Sequence, residues 1–321
     1  MGAPAIRPDH PQPSTAVAPG AIELEHVAVA GMRVRVGHRA PATALPRGTV
    51  VVLPGRAEFI EKYAETLDEL TALGFAATIL DWRGQGGSDR FLNDRWRGHV
   101  VQVEDYLADL DAVVARLVQR RATPPFLMLA HSMGGHVGLR YLHDRPGTFA
   151  GAVMSAPMFG IRLQPTPEPL ARAICAVAIR LGAAHRYAPG QRARDPDRIA
   201  FARNRLTSCE RHFDDLLRQV AATPELALGG VTYGWLGAAL RSIALTRQPG
   251  YLEAIQTPVL VCQAGQERIV SNRAEAEVAR RLPRGRLVVF PDARHELLRE
   301  RDPIRRELFA ALAAFAAEVM G

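Results

Sequence analysis

Phe126 to Gly135 reads FLMLAHSMGG. The stretch begins as a short apolar run, passes through His131 and Ser132, and continues through Gly134 and Gly135 into a segment of helical composition up to about Asp144. That pattern predicts a buried strand, a tight turn and a helix. A serine flanked two places on either side by small residues in such a turn is the pattern of a nucleophile elbow, which holds one hydroxyl above the edge of a parallel sheet. Ala130 and Gly134 are those small residues, needed where strand and helix pass close together. Ser132 would stand at the helix N-terminus, so the Met133 N–H and the positive end of the helix dipole would face a developing oxyanion. An ordinary serine in a βα turn shows the same short pattern, and the rest of the chain must decide between them.

Working outward, Ile22 to Ala30 and Met32 to His38 alternate apolar and polar residues about Gly31, the pattern of an antiparallel hairpin. Gly48 to Leu53, Phe75 to Leu80 and Phe149 to Ser155 read as short buried strands. Glu58 to Leu73 and His99 to Arg121 read as the helices between them. Strands and helices alternating in this way imply right-handed crossovers and a parallel sheet. The alternation stops at Pro157. From there to Gly250 the sequence is helical in composition, punctuated by prolines, and without a convincing buried strand, which predicts an inserted cap. Strand, helix, strand and helix then resume with Pro258 to Gln263, Arg273 to Leu282, Arg286 to Phe290 and Pro303 to Met320. The predicted fold is α/β: a mostly parallel doubly wound sheet with an N-terminal antiparallel hairpin and a helical cap. Its parts are a tail (1–20), core (21–156), cap (157–250) and core again (251–321).

Composition narrows the function. A chain of 321 residues with 48% hydrophobic residues and mean hydropathy of -0.04 fits a globular protein with ample core. No apolar run reaches the roughly 18 residues of a membrane span. The first twenty residues are proline-rich and lack an apolar signal core, so a mobile tail and a cytoplasmic protein are expected. The three cysteines, Cys175, Cys209 and Cys262, are widely spaced and indicate neither a metal site nor a disulfide framework. The net charge of +7 invites a nucleic-acid reading, but no such motif accompanies it, and Lys62 is the only lysine among 40 basic residues. Six of those seven surplus charges fall between Pro157 and Gly250, where 13 arginines face 7 acids, so an anionic partner is expected there.

A serine hydroxyl is a weak nucleophile without a base, and the base needs a partner that fixes its tautomer. On a doubly wound sheet both must come from loops at the C-terminal ends of strands. AGQERIV places Glu267 past one strand and PDARHELL places His295 past the next, in the order expected of this architecture. Asp292 is the rival acid, although it lies only three residues before His295. The second oxyanion donor is expected in LPGRAEF, where Pro54 has no N–H and Gly55 allows close approach: the Arg56 amide, or failing it Ala57. Asp81, in DWRGQGGSDR, is expected to hold a tight loop by pairing with Arg83. His131 is expected to support the site and His99 to cap its helix or line the site. No cofactor or metal is implied.

These segments together resemble the bacterial lysophospholipase and monoacylglycerol lipase branch of the α/β hydrolases. LPGRAEFIEKYAETLDELTALGF, LDWRGQGGSDR, RGHV, AHSMGG, TYGWLGAAL, QAGQERIV and PDARHELLRERD carry the likeness in order, from about Val50 to the C-terminus. The likeness is strongest to the inner-membrane lysophospholipases, which carry proline-glycine-arginine in the oxyanion loop and glutamate as the acid. Pro54 and Glu267 depart from monoacylglycerol lipases, which have histidine and, mostly, aspartate there. The resemblance implies a serine esterase acting on a lysophospholipid or monoacylglycerol, with the cap as a lid. Gly55, His131, Tyr233 and Trp235 would lie along the substrate's path. Leu170 to Leu181 is apolar on nearly every face, which suits either a core helix or a lid. With its surplus arginines such a lid would suit an anionic membrane or a lysophospholipid phosphate. The alternatives are a short-ester hydrolase or aminopeptidase on this fold, and a non-catalytic lipid-binding homologue.

Overall fold

The computed structural model describes residues 21–41, 43–163, 165–193 and 200–320; the expected N-terminal tail lies outside them. Eight strands form one sheet, β1 (Glu23–Val29), β2 (Met32–Arg39), β3 (Thr49–Leu53), β4 (Ala76–Leu80), β5 (Phe126–His131), β6 (Gly151–Ser155), β7 (Val259–Ala264) and β8 (Gly285–Phe290), in the order β1-β2-β4-β3-β5-β6-β7-β8. β2 runs antiparallel to both β1 and β4, and every other neighbouring pair is parallel.

Burial follows from this layout. β3, β6 and β7 are buried at every position because helices cover both faces, whereas β1 at the edge alternates between covered and uncovered residues. Val51 and Leu53 of β3 join Met128 and Ala130 of β5 in one core, with α2 (Glu104–Gln119) and α3 (Met133–Asp144). Val50, Val52, Leu127 and Leu129 point the other way, into a core closed by α1 (Ala64–Ala72) and α8 (Asp302–Met320).

Between β6 and β7 lie α4 (Glu168–Arg180), α5 (Glu210–Ala222) and α6 (Tyr233–Thr246). α6 is capped by Thr232, whose hydroxyl accepts the Trp235 N–H. α4 buries only Ala171 and Cys175, while Leu170, Ile174, Val177 and Leu181 are 53%, 37%, 57% and 79% exposed. Their spacing puts them on one stripe, so this helix belongs to no core. α7 (Asn272–Arg281) packs between β7 and β8.

Three expectations change. The helix expected from Glu58 begins as a single tight turn, Ile60–Tyr63, followed by α1. The helix expected from His99 starts at Glu104, because Gly98 instead bridges to Val231 and the His99 ring bonds the Thr232 hydroxyl at 2.9 Å. His99 therefore steadies the cap of α6 and neither caps its own helix nor lines the cavity. Asp81 does hold a tight loop, but with Arg35 at 2.6 Å and the Ile60 and Gly87 amides; Arg83 turns to Asp109. The partners sit on β2 and α2, too distant in sequence for the local pattern to expose.

Candidate active site

β5 ends at His131, and the chain reverses into α3 through Ser132, whose φ of 49° and ψ of -115° are unfavourable for a residue with a side chain. The Ser132 amide is held by the Ser155 carbonyl at 3.1 Å, and its carbonyl accepts from Gly135 and Met158 at 3.0 and 2.9 Å. The turn is tight enough that a methyl group on Gly134 would run into the Leu53 carbonyl oxygen. Only glycine lets the elbow pass the oxyanion loop at that distance.

His295, on the loop after β8, places Nε2 2.9 Å from Ser132 Oγ. Its Nδ1 lies 2.6 Å from Oε2 of Glu267, on the loop after β7. Oε1 of Glu267 accepts the Arg268, Ile269 and Val270 amides at 2.7, 2.6 and 3.2 Å. All three side chains are buried. Burial alone would push the Glu267 carboxyl up, but the His295 ring and the Ile269 and Val270 amides hold it below the ordinary carboxylate value. Asp292 is exposed and does not meet the ring; its place on the same short loop turns it to solvent.

The loop after β3, where the second oxyanion donor was expected, is arranged around Glu58 and Gln85, which sequence reasoning missed. The Gly55 amide donates to Glu58, and the Ala57 amide donates to Gln85 Oε1 at 3.2 Å, so the runner-up donor is already committed. Gln85 Nε2 in turn donates to the Gly55 carbonyl at 2.8 Å. The Arg56 guanidinium bonds the Gly229 carbonyl and lies 5.6 Å from the centre of the Trp235 ring, tying this loop to α6 and the segment before it. At the elbow, Met133 is the first residue of α3, so its amide has no acceptor within its own helix.

Behind His295 lies a buried polar cluster. His131 faces Glu58 at 2.9 Å through Nδ1 and the His295 carbonyl at 3.2 Å through Nε2. Lys62 Nζ donates to Glu58 at 2.6 Å and to Glu296 at 2.7 Å. Burial opposes the charge on both partners. Even so, His131 and Lys62 hold the Glu58 carboxyl well below its usual range, and Glu58 raises the His131 imidazole above its own. The signal for this cluster was present: the chain's one lysine follows a glutamate by four residues.

The cavity above Ser132 measures about 560 Å³ and is walled largely by apolar residues, including Met158, with Ile174 and Cys175 from α4, Leu216 from α5 and Trp235 from α6. Of the four residues expected along the substrate's path, His131 and Trp235 line it. Gly55 and Tyr233 do not: Gly55 is packed against Glu58 and His131, and Tyr233 opens α6 with its amide on the Arg186 carbonyl. Among the described residues no group of three or more His, Cys, Asp or Glu side chains could hold a metal ion.

Residues 44–302 match the family model described as serine aminopeptidase, S33. The chain belongs to this α/β-hydrolase family. Within reach of it, the chain is 36% identical over 277 residues to lysophospholipase L2 of Escherichia coli (strain K12), across 83% of this chain and 79% of that one. It is 26% identical over 280 residues to the monoacylglycerol lipase of Mycolicibacterium smegmatis, across 87% and 91%. The family fold is also that of a soluble variant of monoglyceride lipase from Saccharomyces cerevisiae, with a TM-score of 0.72 at 17% identity over 97% of this chain and 99% of that one.

Proposed function

We propose that this chain is a serine carboxylic-ester hydrolase that releases fatty acid from single-chain lipids, lysophospholipids or monoacylglycerols, through an acyl-enzyme. The observation that carries the reading is the unbroken line of bonds from Ser132 through His295 to Glu267 at the mouth of an apolar cavity. The names of the relatives, lysophospholipase and monoacylglycerol lipase, support the substrate class.

In this mechanism Ser132 Oγ attacks the ester carbonyl while His295 Nε2 accepts its proton. The imidazolium is stabilised by Glu267, and the negative oxygen is received by the Met133 and Arg56 amides. His295 then protonates the leaving oxygen of the glycerol part. Water, deprotonated by the same imidazole, releases the acid and restores Ser132. Trp235 and His131 border the bound ester, and His131 also steadies the His295 backbone. A fluorophosphonate probe should label the protein at Ser132 and spare Ser132→Ala; equal labelling of the two would remove the nucleophile assignment.

The exposed apolar stripe of α4 supports a second element of the proposal, peripheral contact with an anionic bilayer. The same helix that shows Leu170, Val177 and Leu181 to solvent supplies Ile174 and Cys175 to the cavity wall, and it carries Arg172 and Arg180 outside. Among the described residues no helix is long and apolar enough to cross a membrane. Val177→Asp with Leu181→Asp should weaken co-sedimentation with phosphatidylglycerol vesicles; undiminished binding would refute this contact.

A further inference from the structure

Beside the apolar cavity lies a second, more polar hollow of about 630 Å³, and Arg162, Arg205 and Arg268 line both. Many arginines in this chain are matched with acids, as Arg35, Arg83, Arg299 and Arg305 are. These three form no ion pair among the described residues. Arg162 donates one guanidinium N–H to the Glu267 carbonyl at 2.9 Å, and the rest of its fork meets no acceptor among the described residues.

The acids nearby are already occupied. The Glu267 carboxylate, the one acid in the wall of the polar hollow among the described residues, serves His295 and three amides. Glu58 and Glu296, in the wall of the apolar cavity, share Lys62. Among the described residues the wall of the hollow therefore sets three guanidinium groups against one carboxylate that is already engaged, a net positive lining whose forks match the geometry of phosphate oxygens.

The backbone at each position is tied to the site. Ile161 bridges to Val270 and the Arg162 amide donates to the Ile269 carbonyl at 3.0 Å, so Arg162 is set against the loop that holds the acid. Arg268 directly follows that acid. Leu206, next to Arg205, accepts the Glu296 amide at 2.7 Å, and Arg294 donates to the Asn204 and Thr207 carbonyls at 3.3 and 3.0 Å, so Arg205 is set against the loop that holds the base. The backbones that carry these three exposed arginines are thus tied to the loops that fix Glu267 and His295.

We propose that Arg162, Arg205 and Arg268 form a subsite for the phosphate of a lysophospholipid headgroup, holding it beside Ser132 while the acyl chain fills the apolar cavity. The proposal rests on the serine-hydrolase reading and adds to it a preference for phosphate-bearing substrates over monoacylglycerols. Arg205 and Arg268 are the specificity-determining pair to test, because Arg162 also supports the acid loop.

The full-length protein is assayed on octanoyl lysophosphatidylglycerol, octanoyl lysophosphatidylcholine and monooctanoylglycerol below their micelle concentrations. Wild type is compared with Arg205→Gln, Arg268→Gln, the double variant, and Arg286→Gln, which removes the same charge from the far end of β8. For each subsite variant kcat/KM on both phosphate-bearing esters should fall about 10- to 100-fold, mainly through KM. On monooctanoylglycerol it should stay within about twofold, and Arg286→Gln should discriminate between no substrates. An equal fall on all three esters, or no fall, overturns the proposal. So does competition by inorganic phosphate that is abolished in the double variant without any discrimination among esters, which would assign the arginines to a free anion. Should wild type cleave none of the esters, the hydrolase reading fails on its own. Titration of Ser132→Ala, with and without the arginine pair, then still decides the subsite: equal affinity for the phosphate-bearing lipids in both backgrounds would overturn it.

Discussion

Replacing Lys62 by methionine keeps the buried stem and removes the ammonium that holds two carboxylates together. Nζ stands 2.6 Å from Glu58 and 2.7 Å from Glu296, and the three side chains are 3%, 5% and 6% exposed. Glu58 would keep the Gly55 amide, the Tyr63 hydroxyl and the His131 ring. Glu296 has no other side-chain partner among the described residues, so the loss concentrates there. Removing one partner of a buried pair costs about 3–5 kcal/mol. The variant can limit the damage by protonating one carboxyl. From an ordinary glutamate value of ~4.3 that costs about 4 kcal/mol at pH 7 and about 1 kcal/mol at pH 5. Both routes give a loss of about 4 kcal/mol at neutral pH. The sign of the pH dependence follows, because a carboxyl raised in the folded state withdraws stability as pH climbs above its unfolded value. Guanidinium unfolding followed by tryptophan fluorescence should show the variant approaching wild type as pH is lowered from 7 to 5, and Lys62→Met with Glu296→Gln should recover much of the loss. A variant within about 1 kcal/mol of wild type at pH 7, or a deficit indifferent to pH, would refute the reasoning.

Glu267→Gln keeps the shape of the acid but cannot stabilise the imidazolium, so kcat on any cleaved ester should fall about 10³- to 10⁴-fold with KM little changed; steady-state kinetics showing a loss under tenfold would exclude it from that role. Gly134→Ala should move the elbow away from the oxyanion loop, because the new methyl meets the Leu53 carbonyl, and cost at least about 10²-fold in kcat/KM. Retained activity would show that the two backbones can part harmlessly. Glu275 is fully buried, and burial pushes its pKa up to about 8, although the Gln263 side chain beside it opposes the effect. The folded state keeps this proton longer than the unfolded one, so stability is lost as pH rises from the ordinary value of 4.5 towards 8. Glu275→Gln should therefore gain stability over wild type at pH 8 and little at pH 5, read by thermal unfolding at both.

Much of this architecture was legible because the parallel strands are buried on both faces and so stand out as continuous apolar runs bounded by turns. Ser132, Glu267 and His295 could be picked out because each follows a strand whose position was already clear. The start of α2 was obscured by Val100 and Val103, which are buried without being helical and so prolong the apolar rhythm. The partner of Asp81 on β2 and the pairing of Lys62 with Glu296 depend on contacts between residues tens to hundreds of positions apart, which no local pattern encodes; only the Glu58–Lys62 spacing was visible. For Leu170 to Leu181 an all-round apolar helix could be core or lid, and only the tertiary packing shows that one side of α4 is left uncovered.

The same lysine gives the fold an internal clock for its own opening. No other residue in the chain carries a side-chain amine, and this one is buried. Glu58 and Glu296 engage its ammonium in the cavity wall, so an acylating reagent reacts there as the corner joining the His295 loop to the loop after β3 loosens and frees it. The rate of modification at that single position would therefore measure how often the catalytic framework loosens while the rest of the sheet stays intact.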